Sequence, residues 1–314
     1  MTGPRIAVGI CTFRRPMGVE TLRSLYAQRL PAGMTLEIIV ADNDDTPSAE
    51  AAVMATHGAF PLTYLHAPAR NISLARNAVL DAASQAGVAW LAFADDDERL
   101  DPDWIATLWR EASATGAGVV LGDVRAHYGP GAADWMRRGQ VHDTRPERDA
   151  AGELKGGYTC NVLMNIGDPG MAGLRFDPAR GRSGGEDTAF FAAARHNGVR
   201  FAHAPDALAH EDVPMERATL GWLLRRRIRM GQTHASLIAA GSGQVRRCGL
   251  VAVAIAKLAA CGAMALVKFP DPLARNRAIM RGALHFGTAS GLLGARSLML
   301  YGATSVPTVR EPAK

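Results

Sequence analysis

The sequence predicts an α/β fold in which a mostly parallel sheet carries helices on both faces, followed by C-terminal apolar helices. Three observations lead there. From residue 6 to residue 128, short apolar β-type runs alternate with segments of helical period. The strand runs are continuously apolar rather than alternating, as in parallel sheets buried on both sides. Beyond residue 249 the chain changes character and becomes apolar over lengths that suit long helices.

Taken in order, IAVGIC (6–11) reads as a strand and MGVETLRSLYAQRL (17–30) as a helix. LEIIVAD (36–42) is a strand, SAEAAVMATHG (48–58) a helix and LTYLHA (62–67) a short strand. SLARNAVLDAASQAG (73–87) is helical, VAWLAFA (88–94) extended, DWIATLWREASATG (103–116) helical and GVVLGDVRAHY (118–128) extended. Residues 129–157 are polar and aperiodic and read as a long loop, which inside a compact domain is usually functional or disordered. YTCNVLMNI (158–166) returns to strand. In GRSGGEDTAFFAAARHNG (181–198), glycines precede an acidic pair at a helix start, and the helix ends near Gly198. VRFAHAPDA (199–207) reads as a strand, and MERATLGWLLRRRIRMGQTHASLIAAG (215–241) as a long helix, basic in its middle.

GLVAVAIAKLAACGAMALVK (249–268) is interrupted only by Lys257 and approaches the ~20 residues that a membrane span needs. LHFGTASGLLGARSLMLYG (284–302) is weakly polar and includes Arg296. The expectation is a pair of helices packed on the domain or lying in a membrane interface, with a single span and a soluble hairpin as alternatives. The chain thus divides into a folded domain, 1–241, and an apolar helical region, 242–314.

The 314 residues are 48% hydrophobic, enough for a sizeable core, and carry a formal net charge of +5 with a pI near 9.3. That mild excess suits phosphate-bearing ligands or an anionic membrane surface as well as nucleic acid. Cys11, Cys160, Cys248 and Cys261 are widely spaced without a CxxC, so neither a zinc site nor a disulfide framework is expected and a reducing cytosol is the default. MTGPRIAVGI runs straight into a strand pattern and carries no secretory signal.

Ligands of open α/β sheets bind outside the carboxyl ends of the strands. Asp42 ends the second strand there, and Asp95, Asp96 and Asp97 end the fourth. Like charges at one edge call for something positive among them. In an extended segment residues i and i+2 project to one side, so Asp95 and Asp97 are expected to converge on one point. Oxygen-only ligands of this kind suit Mg²⁺ or Mn²⁺ together with substrate phosphates. The bland alternative is a solvated turn, with Asp97 or Asp101 capping the next helix.

With these acids placed, the pattern resembles the family 2 glycosyltransferases of the GT-A (nucleotide-diphospho-sugar transferase) fold, whose sheet is Rossmann-like. It is similar to the bacterial succinoglycan and exopolysaccharide glucosyltransferases. VGICTFRRP (8–16), IIVADND (38–44), NISLARNAVL (71–80), FADDDE (93–98), GGEDTAFF (184–191) and RRRIRMG (225–231) carry the resemblance in order, across about residues 5–235.

The resemblance implies that Thr12 and Phe13 line the nucleotide base, although this chain has Cys11 where the family often has Pro, and Phe where it often has Tyr. It implies that Asp42 accepts hydrogen bonds from uracil, its ordinary alternative being a capping residue. Arg76 would reach the nucleotide from its helix, or else lie on the surface. Asp95 would bind the ribose, Asp97 the metal on the diphosphate, and Asp96 the ribose or the sugar. Asp187, with Glu186 second, would deprotonate the attacking hydroxyl, unless the pair merely caps the helix. A helix N-terminus lowers a carboxylate's pKa and a neighbouring acid raises it, so the spacing leaves that choice open. His210 could complete the metal site. Arg225 and Arg229, four apart on one helix face, could clamp the donor diphosphate or a polyprenyl diphosphate acceptor, and Trp222 could stack on a sugar; a solvated basic face is the alternative.

One base and no obvious covalent nucleophile point to direct displacement with inversion. The expected activity is transfer of a hexose from a nucleotide-diphosphate sugar, UDP-linked first, to a lipid-linked or oligosaccharide acceptor. The expected place is cytoplasmic, peripheral on the inner face of the membrane, with no nucleic-acid partner. A nucleotidyltransferase would carry a Gly-rich loop after its first strand, and a dehydrogenase G-x-G-x-x-G; CTFRRPMG has neither. A non-enzymatic membrane- or nucleic-acid-binding protein would leave the aspartates unexplained.

Overall fold

The computed structural model describes residues 3–15, 18–239, 243–296 and 298. β1 (Arg5–Thr12), α1 (Gly18–Tyr26), β2 (Thr35–Asp42), α2 (Glu50–Met54), β3 (Leu62–His66), α3 (Ile72–Gln85) and β4 (Trp90–Asp95) form the first half. β1 pairs in parallel with both β2 and β4, and β2 with β3, so the chain order reverses at the crevice between β1 and β4. The continuous apolar strands are explained by burial on both faces. Ile6, Val8 and Ile10 face one core with Leu22, Leu25 and Trp104, whereas Ala7 faces the other with Val79, Phe93 and Phe176.

The second half adds β5 (Glu98–Leu100), α4 (Trp104–Thr115), β6 (Val119–Tyr128), α5 (Asp134–Gly139), β7 (Asn161–Asn165), α6 (Glu186–His196) and β8 (Phe201–Val213). One eight-stranded sheet results, in the order β3-β2-β1-β4-β7-β6-β8-β5. β7 lies antiparallel between β4 and β6, β8 runs parallel to β6, and β5 is antiparallel to β8, so the sheet is mixed. Its parallel half is the one that the sequence pattern describes.

Three differences from the expected elements have local causes. β5 is only three residues long and follows the aspartates directly. The expected loop 129–157 contains α5 and two isolated bridges, Val124–Thr144 and Arg148–Leu154. β8 continues to Val213 because Pro205, Asp206 and Ala207 are accommodated as a register shift opposite Gly122 and Asp123, which spares the ladder the missing proline N–H.

α7 (Leu220–Ala239), α8 (Gln244–Val267) and α9 (Pro272–Leu292) complete the molecule. α9 packs on α7 at backbone distance: a Cβ on Gly231 would strike the Leu284 carbonyl, and one on Gly287 the Ile228 carbonyl. Arg277 Nη2 also donates to the Gly139 carbonyl of α5 at 3.1 Å. α9 is thus part of the folded body. α8 differs, because it buries Ala254 against this layer and leaves Val253, Ile255, Met264, Leu266 and Val267 exposed. It is long and apolar enough to cross a membrane, and only 6% of its apolar window is buried. The apolar stretch 284–302 enters α9, and beyond it residues 297 and 299–302 lie outside the described residues.

Candidate active site

The site opens where β1, β2 and β4 end. β4 stops at Asp95, and Asp96 and Asp97 form the turn into β5. The run is therefore not extended throughout, so the strand spacing that would place Asp95 and Asp97 on one side does not apply to it, although Asp97 stays close enough to push the Asp95 carboxyl up. Asp96 and Asp97 instead share one nitrogen of Arg15, at 3.0 Å from Asp96 Oδ1. Asp96 also accepts from Thr12 Oγ1 at 2.8 Å. Asp95 looks toward α3, with Arg76 Nη2 3.9 Å away, and its amide donates to Glu98 Oε2 at 3.0 Å.

The crowd of acids is tolerated because arginines stand among them, so the positive charge that the edge calls for is supplied by the chain itself. Arg76 is buried on α3 and forms an ion pair with buried Glu186 while flanking Asp95. Arg15 serves Asp96 and Asp97. Glu211 of β8, whose carboxyl is raised by burial and then by Asp97, pairs with Arg217 at 3.2 Å. Desolvation by the surrounding fold pushes the Asp95 carboxyl up to about 7 although its side chain keeps partial access to solvent, against the pull of Arg76 and with the push of Asp97 and Asp96.

Among the described residues no group of three or more His, Cys, Asp or Glu side chains is arranged to hold a metal. The donor chemistry nevertheless fits a hard divalent cation of the kind held by one or two carboxylates plus substrate phosphates, since Asp95, with its side chain 47% exposed, and Asp97, 18% exposed, stand two residues apart at the end of β4. His210 does not join them. Its Nε2 bonds Asp101 Oδ1 and its Nδ1 bonds His127 Nε2, both at 2.9 Å, and it is the next residue on β8, Glu211, that senses Asp97.

The acidic pair at the start of α6 divides in two. Glu186 is 6% exposed and turned inward onto Arg76, with its Oε2 buried and without a hydrogen-bond partner among the described residues. Asp187 is half-buried, and its Oδ1 accepts from the amide and hydroxyl of Thr188 at 2.6 and 3.2 Å. Gly184 and Gly185 precede them at φ 83° and 87°, a left-handed backbone that glycine adopts without strain. A side chain at either position would also collide with α7, at the Arg229 guanidinium or at Thr233. Arg229 thus supports this turn, donating to the Ser183 carbonyl at 3.4 Å.

Asp42 is fully buried, and both its oxygens are committed: Oδ1 to the Asp44 amide at 3.0 Å, Oδ2 to the Ala49 amide at 2.8 Å and the Tyr64 hydroxyl at 2.9 Å. The capping alternative describes it, and the uracil role expected of it would require this fully buried carboxylate to be uncovered. Asp44 instead lines a cavity of about 490 Å³ with Thr12, Arg14, Arg15 and Ser48 over an apolar floor that includes Ile10, Val40 and Val53. Arg14 Nε bonds Asp44 at 2.9 Å, and its guanidinium lies 5.3 Å from the centre of the half-buried Phe13 ring.

On α7, Trp222 stacks on His142 at 5.6 Å, and Arg217 and Arg226 lie 5.8 and 5.5 Å from its ring centre. A sugar would have to displace one of these partners. Burial drives the His142 pKa down to about 4, with the Arg217 carbonyl opposing. Arg225 is exposed, and the member of the arginine run whose charge is felt at Glu211 is Arg226. Sequence reasoning missed the counter-ions Arg15 and Arg217 and the acid Glu211; the signal for Arg15 was its place directly after a strand that ends at the ligand edge.

Comparison with known proteins gives this geometry its context. The chain matches the model of glycosyl transferase family 2 over residues 7–181. It is 46% identical over 303 residues to the succinoglycan biosynthesis protein ExoM of Rhizobium meliloti (strain 1021), covering 96% of this chain and 97% of that one. Among solved structures, the mannosyltransferase PcManGT from Pyrobaculum calidifontis, in complex with GDP-Man and Mn²⁺, superposes with a TM-score of 0.61 at 20% identity, over 92% of this chain and 87% of that one. S. aureus TarS 1–349 in complex with UDP-GlcNAc gives 0.52 at 14% identity, over 93% and 92%. These structural likenesses establish the GT-A architecture, and the family match with the ExoM identity establishes the rest: the chain belongs to glycosyl transferase family 2 and is a glycosyltransferase.

Proposed function

We propose that the protein is an inverting, metal-dependent hexosyltransferase. It uses a nucleotide-diphosphate sugar, UDP-linked first, and a lipid-linked or saccharide acceptor of exopolysaccharide synthesis, and it works at the cytoplasmic face of the membrane. The observation that carries the reading is the separation of the acids. Glu186 is locked to Arg76, and Asp96 and Asp97 share Arg15, whereas Asp187 stands half-exposed at a glycine turn with one oxygen, Oδ2, outside the bonds to Thr188.

In this reading Asp187 takes the proton of the attacking acceptor hydroxyl. Arg76, fixed by Glu186, holds Asp95 in place. A divalent cation held by Asp95 and Asp97 would offset the charge that develops on the departing nucleotide diphosphate. The remaining demand on the protein is positioning of donor and acceptor. Exopolysaccharide synthesis is supported by the likeness to the succinoglycan biosynthesis protein ExoM, and the nucleotide sugar and cation by the UDP-GlcNAc complex of TarS and the GDP-Man and Mn²⁺ complex of PcManGT. The exposed apolar side of α8 supports a membrane surface as the workplace, and we take 1–241 together with the packed α9 as the transferase body and α8 as its membrane-facing element.

The test is a panel of nucleotide sugars with Mn²⁺ or Mg²⁺ and a polyprenyl-diphosphate-linked saccharide, followed by nucleotide release and by NMR of the product anomer. Cation-dependent transfer from a UDP-hexose with inverted configuration is expected. Retention of configuration, or full turnover in chelator, would overturn the corresponding part.

A further inference from the structure

Arg15 joins the acid turn to the cavity. It pairs with Asp96 and Asp97 on one side and lines the cavity of about 490 Å³ with Thr12, Arg14 and Asp44 on the other. The three arginines at this edge are held unequally. The Arg76 side chain is 9% exposed and locked to Glu186, and Arg14 is bonded to Asp44. The Arg15 side chain is 35% exposed, and among the described ion pairs it is the partner of Asp97.

A cation on Asp97 and a guanidinium on the same carboxylate oppose each other, since each lowers the charge available to the other and like charges at such range repel. We propose that Arg15 is a displaceable counter-ion. It neutralises Asp96 and Asp97 in the donor-free protein, releases Asp97 to the divalent cation, and turns its guanidinium onto the phosphate oxygens of the donor, which its planar fork matches. This rests on the transferase reading above. Metal alone must expel Arg15 with no new partner for it, whereas metal with a diphosphate gives Arg15 an anion. Arg15 therefore makes the two ligands cooperative, and the coupling is reciprocal.

The experiment titrates Mn²⁺ by the EPR signal of the free ion, with and without UDP, for the wild type, Arg15→Met and Arg15→Lys. In the wild type, UDP is expected to raise Mn²⁺ affinity by roughly 10- to 100-fold, within the usual range of coupling between sites. Arg15→Met is expected to bind Mn²⁺ alone about tenfold more tightly than the wild type and to lose most of the UDP enhancement. Arg15→Lys, a point charge without the fork, is expected to fall between. Unaltered Mn²⁺ affinity in Arg15→Met with the coupling intact overturns the inference and leaves the transferase reading standing. Should Arg15→Met not fold, the wild type decides, because Mn²⁺ and UDP that bind independently also overturn it. A wild type that binds neither ligand, alone or together, overturns the transferase reading itself.

Discussion

The two halves of the sheet are built on different logic. From β1 to β4 the strands are parallel and locally encoded, with β1, β2 and β4 buried on both faces, and they present Thr12, Asp95 and the acid turn at one edge. From β5 onward the pairing is mixed, and the groups that meet that edge arrive from far along the chain: Glu186 reaches Arg76 across 110 positions, and Glu211 comes from the distal end of β8. The first half is a floor whose shape follows from its own sequence. The second completes the site by long-range ion pairs, so it should be the half in which single substitutions uncouple structure from activity.

The largest test of that contrast is Arg76→Met, at the joint between the halves. It strands Glu186 in the interior with no cation, and removing one partner of a buried pair costs about 3–5 kcal/mol. Thermal unfolding should show the loss, and Arg76→Met with Glu186→Leu should restore part of it. Smaller is the pH response of His142 in the second half. Its folded pKa near 4 lies below the unfolded value, so the unfolded chain binds the extra proton between those values and stability falls as pH drops from about 6.5 toward 4. The raised Asp95 carboxyl works in the opposite sense over the same window, so the His142 contribution, up to about 3 kcal/mol, is read as the difference in pH slope between the wild type and His142→Phe. Smaller again is Asp42→Asn in the first half, which weakens the bonds to the Asp44 and Ala49 amides and costs about 1–3 kcal/mol of stability. UDP affinity should be nearly unchanged; a large loss would return Asp42 to the nucleotide. Smallest is Gly184→Ala, whose left-handed backbone strain is about 1–2 kcal/mol. It should lower turnover more than stability, because Asp187 sits on that turn.

The same contrast explains what could be read from the residues alone. The parallel strands were legible to within two residues at each end, as with 6–11 against Arg5–Thr12 and 36–42 against Thr35–Asp42, because a buried strand is a continuous apolar run. The glycine turn before Glu186 and Asp187 was legible because only glycine tolerates that backbone beside α7. β5 was not, since three residues leave no period to detect. Nor was the commitment of Asp42, because acids that cap a loop and acids that bind a ligand look alike at a strand end. The placement of His210 failed for a simpler reason: neighbours on a strand face opposite ways, and sequence alone does not say which of His210 and Glu211 looks inward. The counter-ions Arg15 and Arg217 were hidden because ion pairs across a fold leave no local pattern.

The most direct test of the account is the rate of sugar transfer by Asp187→Asn, measured beside its affinity for UDP with Mn²⁺. We predict a fall in kcat of about 10²–10⁴-fold, the usual contribution of a positioned base, with UDP affinity unchanged. Transfer at a near-wild-type rate by a folded Asp187→Asn protein would contradict the claim that this half-exposed carboxylate, held at its glycine turn by α7, performs the chemistry.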